Sequence, residues 1–466
     1  MIELSVSQIA AAISGTVIGD ASALVTGSVE TDSRLVKSGS LFVAKPGEKT
    51  DGHLFVPQAY ESGAVAAIVE NVVTAVSIPQ IQVRDSVVAL GQLAKFVLEQ
   101  IRQESDLKVI GITGSNGKTT TKNMLHEVLS KFGSTVAPIE SFNNEVGAPY
   151  SILQTTMETK FLVVEMGAAG HGSISYLADI AKPNIGVVLK VGLAHVGEFG
   201  GIEETAKIKS ELVKALADDG VAVLNADDGY VSEMAGMTKA KKIWFGTSSD
   251  ANYQATNQQV ALSGTSFDLS WPDGDSSSVK LRILGEHHVM NALATLSVSD
   301  SLGLDRKTAV SAIESMPLAE RWRMQVSERA DGVTVINDAY NASPDSMKAA
   351  LQTLAQLGRS GSRTIAVLGE MAELGSEARE QHDAIGRLVV RLDINQLVVV
   401  GQAAKLIHMG AEQEGSWGGE SKFFESIDEA LAYVRGMLMA GDLVLVKSSK
   451  SANLRHLGDD LMEVSS

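Results

Sequence analysis

The sequence predicts an α/β protein of three domains, on three observations. The first is length: 466 residues, at about 150 per domain, are enough for two or three cores. The second is an alternation of short β-rich apolar runs with helical patterns, at Leu41 to Ala44, Ala66 to Val69, Val109 to Thr113, Leu162 to Glu165, Ile185 to Leu189 and Val221 to Leu224. The alternation resumes at Val333 to Ile336, Ile365 to Leu368, Leu397 to Val400 and Leu443 to Val446, with intervals long enough for crossover helices, so each stretch reads as a parallel sheet. The third is a change of period between them. Val260 and Leu262, then Phe267, Leu269 and Trp271, then Val279, Leu281 and Ile283 alternate with polar residues around Asp273-Gly274, which predicts a small antiparallel sheet. Polar or proline-marked junctions at Gln103 to Asp106 and Ser315 to Pro317 divide the chain into residues 1–105, 106–316 and 317–466.

Composition narrows the function classes. The 39 basic against 56 acidic residues leave a net charge of −17, which argues against a nucleic-acid partner but leaves room for a local basic pocket. With no cysteine, neither a disulfide framework nor thiol chemistry is available. The start, Met1-Ile2-Glu3-Leu4, lacks a basic region followed by an apolar one, and no apolar run approaches membrane-spanning length. The expectation is a cytoplasmic protein with no membrane partner, working as a monomer.

The richest segment is Gly111 to Thr121. It follows the apolar pair Val109-Ile110 and leads into the helical spacing of Met124, Leu125, Val128, Leu129 and Phe132. A strand, a glycine loop and a helix aim several backbone N–H groups and a helix N-terminus at one point, and Lys118 adds a full positive charge. Phosphate is the natural occupant of Gly114, Ser115, Asn116, Gly117, Lys118, Thr119 and Thr120. Ile112 stands where the strict phosphate-loop pattern has glycine. Phe161 to Glu165 is an apolar strand ending in a carboxylate, where a nucleotide site keeps its magnesium ligand, with the Thr119 hydroxyl as companion. Downstream, His195 sits in the glycine-rich stretch Gly192 to Gly200, and Lys209 on the helical stretch Ile202 to Leu216. Histidine can ligate a metal and an ammonium cannot, so by its residue type Lys209 is a solvated helix position or a phosphate contact.

Several separated segments together resemble the Mur ligases, the ATP-dependent amide-forming enzymes of peptidoglycan synthesis, and the likeness spans essentially the whole chain. They are Thr31 to Arg34, Gly114 to Thr119, Asn143 to Gly147, Glu165-Met166-Gly167, Ala194-His195, Asn337 to Pro344 and Leu368 to Gly375. The last two are the most specific. Within the family they point to the members that add D-alanyl-D-alanine to UDP-N-acetylmuramoyl-tripeptide. The resemblance implies a uridine-nucleotide module over 1–105, an ATP-binding ligase domain over 106–316 and a Rossmann-like domain over 317–466. It implies ATP and Mg2+ as cofactors and a carbamylated Lys209, which would turn an ammonium into a carboxylate-like ligand beside Thr119, Glu165 and His195. It also assigns Asn291, Arg323 (with Arg321 competing) and Asp338 to the nucleotide. Ser33, Arg34, Asn144, Glu145, Tyr340, Asn341 and Lys447 fall to the substrates. Two departures stand out: Ser343 replaces an asparagine of the signature, and Lys447-Ser448-Ser449-Lys450 replaces a segment with glycine and arginine near the expected dipeptide pocket.

The chemistry expected is activation of a carboxylate by ATP, attack by an amine, and closure of the third domain on the second to exclude water. Two other readings stay open on the residues alone. One is an amide ligase for a single amino acid or for folate and glutamate. The other is a nucleotide switch, motor or regulator that forms no amide.

Overall fold

The computed structural model describes residues 1–47, 50–138, 141–193, 199–316, 321–415 and 419–463. The N-terminal sheet has five strands in the order Thr16–Ile18, Gln80–Gln82, Ala66–Val69, Leu41–Val43 and Val29–Glu30. All its pairings are parallel except that of Thr16–Ile18 with Gln80–Gln82. The long helix Ser86–Glu104 follows, capped by Asp85, whose carboxylate accepts from the Val87 and Val88 N–H groups. Its apolar stripe of Leu90, Leu93, Ala94, Val97 and Ile101 lies in one cluster with Val6 and Ile9 on one side and Ile152, Ile174 and Leu177 on the other. The helix is therefore a wall common to two units.

The central sheet has nine strands. From one edge the order is Ser276–Leu281, Gly264–Ser270, Tyr253–Ala261, Lys241–Gly246, Val221–Asn225, Ile185–Val188, Lys108–Thr113, Phe161–Glu165 and Thr135–Val136. The strands from Thr135–Val136 to Tyr253–Ala261 run parallel, and the antiparallel pairs expected around Asp273-Gly274 continue that sheet at its edge. Leu262 is not part of a strand: it sits in the turn before Gly264–Ser270 and is exposed. Lys108–Thr113 is buried on both faces, as its apolar run requires in a parallel sheet. Val109 faces the cluster holding Ile208 and Leu212, whereas Ile110 and Ile112 face Met124, Leu125 and Leu296. Removing each such aliphatic side chain from water contributes about 1.5–3 kcal/mol.

The C-terminal sheet of six strands has the order Gln325–Glu328, Thr334–Asn337, Leu443–Lys447, Thr364–Leu368, Gln396–Val400 and Ser421–Phe424, all parallel but the first. Helices Pro344–Gly358, Ala378–Arg391 and Lys405–Glu414 cover one face through Leu351, Val389 and Ile407. Helices Ile427–Met437 and Leu454–Met462 cover the other through Val434 and Leu457. Two-sided cover is what continuous apolar strands demand. The parallel strands read from the sequence are all present to within a residue, whereas the antiparallel ones are displaced: Val260 stands near the end of Tyr253–Ala261, and Ile283 lies beyond Ser276–Leu281. Lys241–Gly246, Thr135–Val136, Gln325–Glu328 and Ser421–Phe424 are additional, as are the short N-terminal strands Leu4–Ser5, Thr16–Ile18, Leu24–Val25, Val29–Glu30 and Gln80–Gln82. No described helix is long and apolar enough to cross a membrane.

Candidate active site

Strand Lys108–Thr113 delivers the chain into Gly114–Gly117 and then helix Lys118–Leu129. Gly117 occupies the N-cap position at φ 86°, in the left-handed region, and no side chain caps the helix. A Cβ on Gly117 would lie 2.4 Å from Asn291 Oδ1, so both backbone conformation and space require glycine. The uncapped N–H groups of the first turn and Lys118 thus face a cavity of about 370 Å³. Lys118 Nζ donates to the Gly114 carbonyl at 2.8 Å. Desolvation holds its ammonium below the usual lysine value; Glu165 opposes the shift and Arg323 adds to it.

Glu165, at the end of strand Phe161–Glu165, is 1% exposed. Its Oε1 accepts from Asn143 Nδ2 at 2.7 Å and lies 3.5 Å from Thr119 Oγ1, while Oε2 has no partner. A buried carboxylate oxygen without a donor is costly, and a cation is the natural remedy. Thr119 and Glu165 therefore fit Mg2+. Among the described residues no group of three histidine, aspartate or glutamate side chains stands ready as a metal site. His195, expected to be a ligand, lies outside the described residues. Lys209 is on helix Ile202–Lys214 and 4% exposed. Burial, with the charge of Lys118 beside it, pushes its amine down to about 7. That removes the solvated-helix alternative for Lys209.

The opposite wall comes from the C-terminal domain. Arg323 lines the cavity and stacks on Tyr340, its guanidinium carbon 4.1 Å from the ring centroid. The competing Arg321 is turned away onto Asp459 at 2.8 Å. Asp338 also lines the cavity. Its Oδ1 accepts from Met324 N at 3.0 Å, and its Oδ2 from Lys447 Nζ at 2.5 Å. Lys447, expected at the dipeptide, is 2% exposed and donates as well to the Asn341 carbonyl at 3.1 Å, so its ammonium braces the loop that carries Asp338 and Asn341. Lys450, the residue that departs from the family pattern, lines the cavity with its ammonium 5.5 Å from the Tyr340 ring.

Asn291, on helix His287–Ser301, is 4% exposed, and its Oδ1 accepts from Thr121 Oγ1 at 3.3 Å. Its neighbour His288 has a buried Nε2 without a partner. Burial, then the charges of His287 and Arg323, hold His288 well below the usual histidine range and so neutral. Several cavity residues are absent from the sequence reading of the site: Ser141, His287, His288, Met324, Ser346, Glu373, Lys450, and Asn143, in whose place the sequence reading has its neighbour Asn144. Asn144 is exposed and uses Oδ1 to accept from Gly147 N at 2.9 Å, opening helix Gly147–Ile152. Glu145 is exposed beside it. An Asn-Asn pair gives no sequence signal for which amide turns inward.

Ser33 and Arg34 lie away from this cavity, just after strand Val29–Glu30. Ser33 Oγ donates to Gln58 Oε1 at 2.9 Å, and the exposed Arg34 pairs with Asp32 at 2.5 Å. Tyr150 ties this region to the central domain, its hydroxyl donating to Glu30 Oε2 at 3.1 Å.

Comparison with known proteins agrees with this layout. Residues 26–97 match "Mur ligase family, catalytic domain", 112–299 "Mur ligase middle domain" and 322–450 "Mur ligase, glutamate ligase domain". The UDP-N-acetylmuramoyl-tripeptide–D-alanyl-D-alanine ligase of Mycobacterium bovis is 41% identical over 502 aligned positions, covering 99% of this chain and 98% of that protein. A crystal structure of MurF from Acinetobacter baumannii superposes with a TM-score of 0.90 at 32% identity, covering 100% of both chains. MurF from Thermotoga maritima in complex with ADP gives a TM-score of 0.81 at 27% identity, over 94% of this chain and 97% of that one. With three family matches in order along its length and relatives this similar from end to end, the chain belongs to the Mur ligase family.

Proposed function

We propose that this protein joins D-alanyl-D-alanine to the terminal carboxylate of UDP-N-acetylmuramoyl-tripeptide, using ATP and passing through an acyl phosphate. The observation that carries the reading is the cavity between two domains, with the phosphate loop and Glu165 on one wall and Arg323, Asp338 and Tyr340 on the other. The activity by which relatives matched from end to end are named supports the substrates. A carboxylate is a poor electrophile, so the γ-phosphoryl group is first transferred to its oxygen. Lys118, the uncapped helix N-terminus and the Arg323 guanidinium lie where the charge of that transfer needs dispersing. The amine of D-alanyl-D-alanine then attacks the carbonyl carbon, the tetrahedral intermediate expels phosphate, and the amide, ADP and phosphate leave. Mg2+ held by Thr119 and Glu165, with His195 and a carbamylated Lys209, would neutralise phosphate charge. Only an unprotonated amine adds carbon dioxide, and the lowered value of Lys209 supports that modification.

Ser33, Arg34, Asn144 and Glu145 are proposed contacts of the UDP-peptide, and Asn291 and Asp338 of the nucleotide. The module boundaries are proposed at 105/106 and 316/317. The test is phosphate release and product mass with ATP, magnesium and the tripeptide–dipeptide pair, against single amino acids as acceptors. Release that requires the pair, and the loss of at least a hundredfold in turnover with Lys118→Ala (about 3 kcal/mol of transition-state stabilisation), is the expected outcome. Full turnover of that variant at saturating ATP would defeat the mechanism.

A further inference from the structure

The phosphate loop is braced from behind by the segment after strand Ile185–Val188. Ser115 N donates to the Lys190 carbonyl at 2.8 Å, Gly192 N to Ser115 Oγ at 2.9 Å, and Ser115 Oγ to the Gly192 carbonyl at 3.2 Å. Onto this segment, where Leu193 also packs against the C-terminal core, the C-terminal domain sets a carboxylate. Asp345, in the first turn of helix Pro344–Gly358, accepts from Lys190 Nζ through Oδ1 at 3.1 Å and from the Leu193 N–H through Oδ2 at 3.1 Å. Two residues earlier, Ser343 Oγ donates to Asn116 Oδ1 at 3.2 Å. Gly192 leaves room for the carboxylate: a Cβ there would stand 2.3 Å from Asp345 Oδ2. Gly192 has no left-handed backbone, so steric access for Asp345 is what an alanine would take away.

We propose that Asp345 is a positioning residue that latches the C-terminal domain onto the back of the phosphate loop. Docking of that domain and ordering of Ser115 and Asn116 around nucleotide then become one event. Three features carry the inference. The contact crosses between domains, it reaches the loop through the brace at Lys190–Leu193 rather than through nucleotide, and it uses a charge-assisted bond to a backbone N–H that no surface ion pair alone would need. The carboxylate is distinct from the groups facing the cavity, and Asp345 does not line it. The kinetic consequence rests on the ligase reading; the docking does not.

The test is the distance between the two domains in the full chain. Because the protein has no cysteine, Lys239→Cys and Glu429→Cys give unique labelling positions, both exposed, for fluorescence energy transfer with Mg-ATP alone. Asp345→Ala is expected to raise the undocked fraction about tenfold, the loss of one to two charge-assisted contacts. Gly192→Ala should do the same. Asp345→Asn, which keeps an acceptor for the Leu193 N–H, should fall between them and wild type. With both substrates present, Asp345→Ala should lower kcat more than it changes the KM for ATP, a split that a merely structural role would not give. Docking of Asp345→Ala and Gly192→Ala indistinguishable from wild type overturns the proposal; if Asp345→Ala fails to fold, Gly192→Ala and Lys190→Ala decide it. A wild type that docks through Asp345 yet makes no amide refutes the ligase reading and leaves the latch standing.

Discussion

Equilibrating the protein with isotopically labelled bicarbonate and counting the carbamate it retains puts the chemistry of Lys209 to a direct test. The side chain is 4% exposed, and burial together with Lys118 brings its amine from 10.5 to about 7. Near pH 8 about nine-tenths of such an amine is neutral, against about 0.3% of an ordinary lysine, a gain of about three-hundredfold in the species that adds carbon dioxide. The sign for stability follows from the lowered value. The unfolded chain holds this proton more tightly than the folded one, so the penalty for a buried ammonium is full below about pH 7 and is relieved as pH rises towards 10.5. The whole gap is roughly 5 kcal/mol at 1.36 kcal/mol per unit. Lowering the pH from about 8 to about 6 should cut the neutral fraction from about nine-tenths to about one-tenth. The carbamate signal, and turnover at limiting bicarbonate, should fall by close to the same factor. Lys209→Met should abolish the signal at every pH. An amine that titrates near 10.5, or carbamate formation indifferent to pH across that interval, would refute the reasoning.

Two further substitutions probe other parts of the frame. Gly117→Ala forces a left-handed conformation costing about 1–2 kcal/mol and drives a methyl group to 2.4 Å from Asn291 Oδ1. Equilibrium titration should find nucleotide affinity at least tenfold weaker, and unchanged affinity would contradict the loop geometry. Tyr150→Phe removes the donor to Glu30, which is 5% exposed. Burial and that carboxylate push the Tyr150 hydroxyl up to about 12, so it is a donor throughout the neutral range. Chemical denaturation should register a loss of about 1–3 kcal/mol from the unsatisfied carboxylate, with kcat retained.

What the sequence yields and what it withholds follow from the range of the forces involved. Strands buried on both faces, such as Lys108–Thr113 and Thr364–Leu368, are continuous apolar runs and declare themselves locally. The edge strands Thr135–Val136 and Ser421–Phe424 are short and partly polar. Lys241–Gly246 opens on two lysines, so no run announces any of the three. The phosphate loop was legible because its glycines, lysine and flanking elements are contiguous. The pairing of Lys190 with Asp345 joins residues 155 apart, and no local pattern encodes it. Lys209 is the sharpest case. By residue type it is a solvated cation, and only the packing of Ile202–Lys214 against the sheet makes it a buried amine. The Asp338–Lys447 pair is similar: both residues stood out in the sequence, but their use of one another is a property of adjacent strand ends.

The helix Ser86–Glu104 has a consequence for the length of peptide that the proposed reaction would accept. One unbroken apolar cluster runs from Leu4 through this helix to Ala240, so the first two units behave as a single jaw. The distance from Ser33 to Lys118 is thus set within one packed body, and the C-terminal domain meets that body at Asp345 and at the apolar contacts of Leu193, Val260 and Leu284. On the proposed function, a peptide too short or too long for that distance would present its carboxylate away from the phosphate loop however tightly its uridine end was gripped, and no movement of the third domain would correct the error.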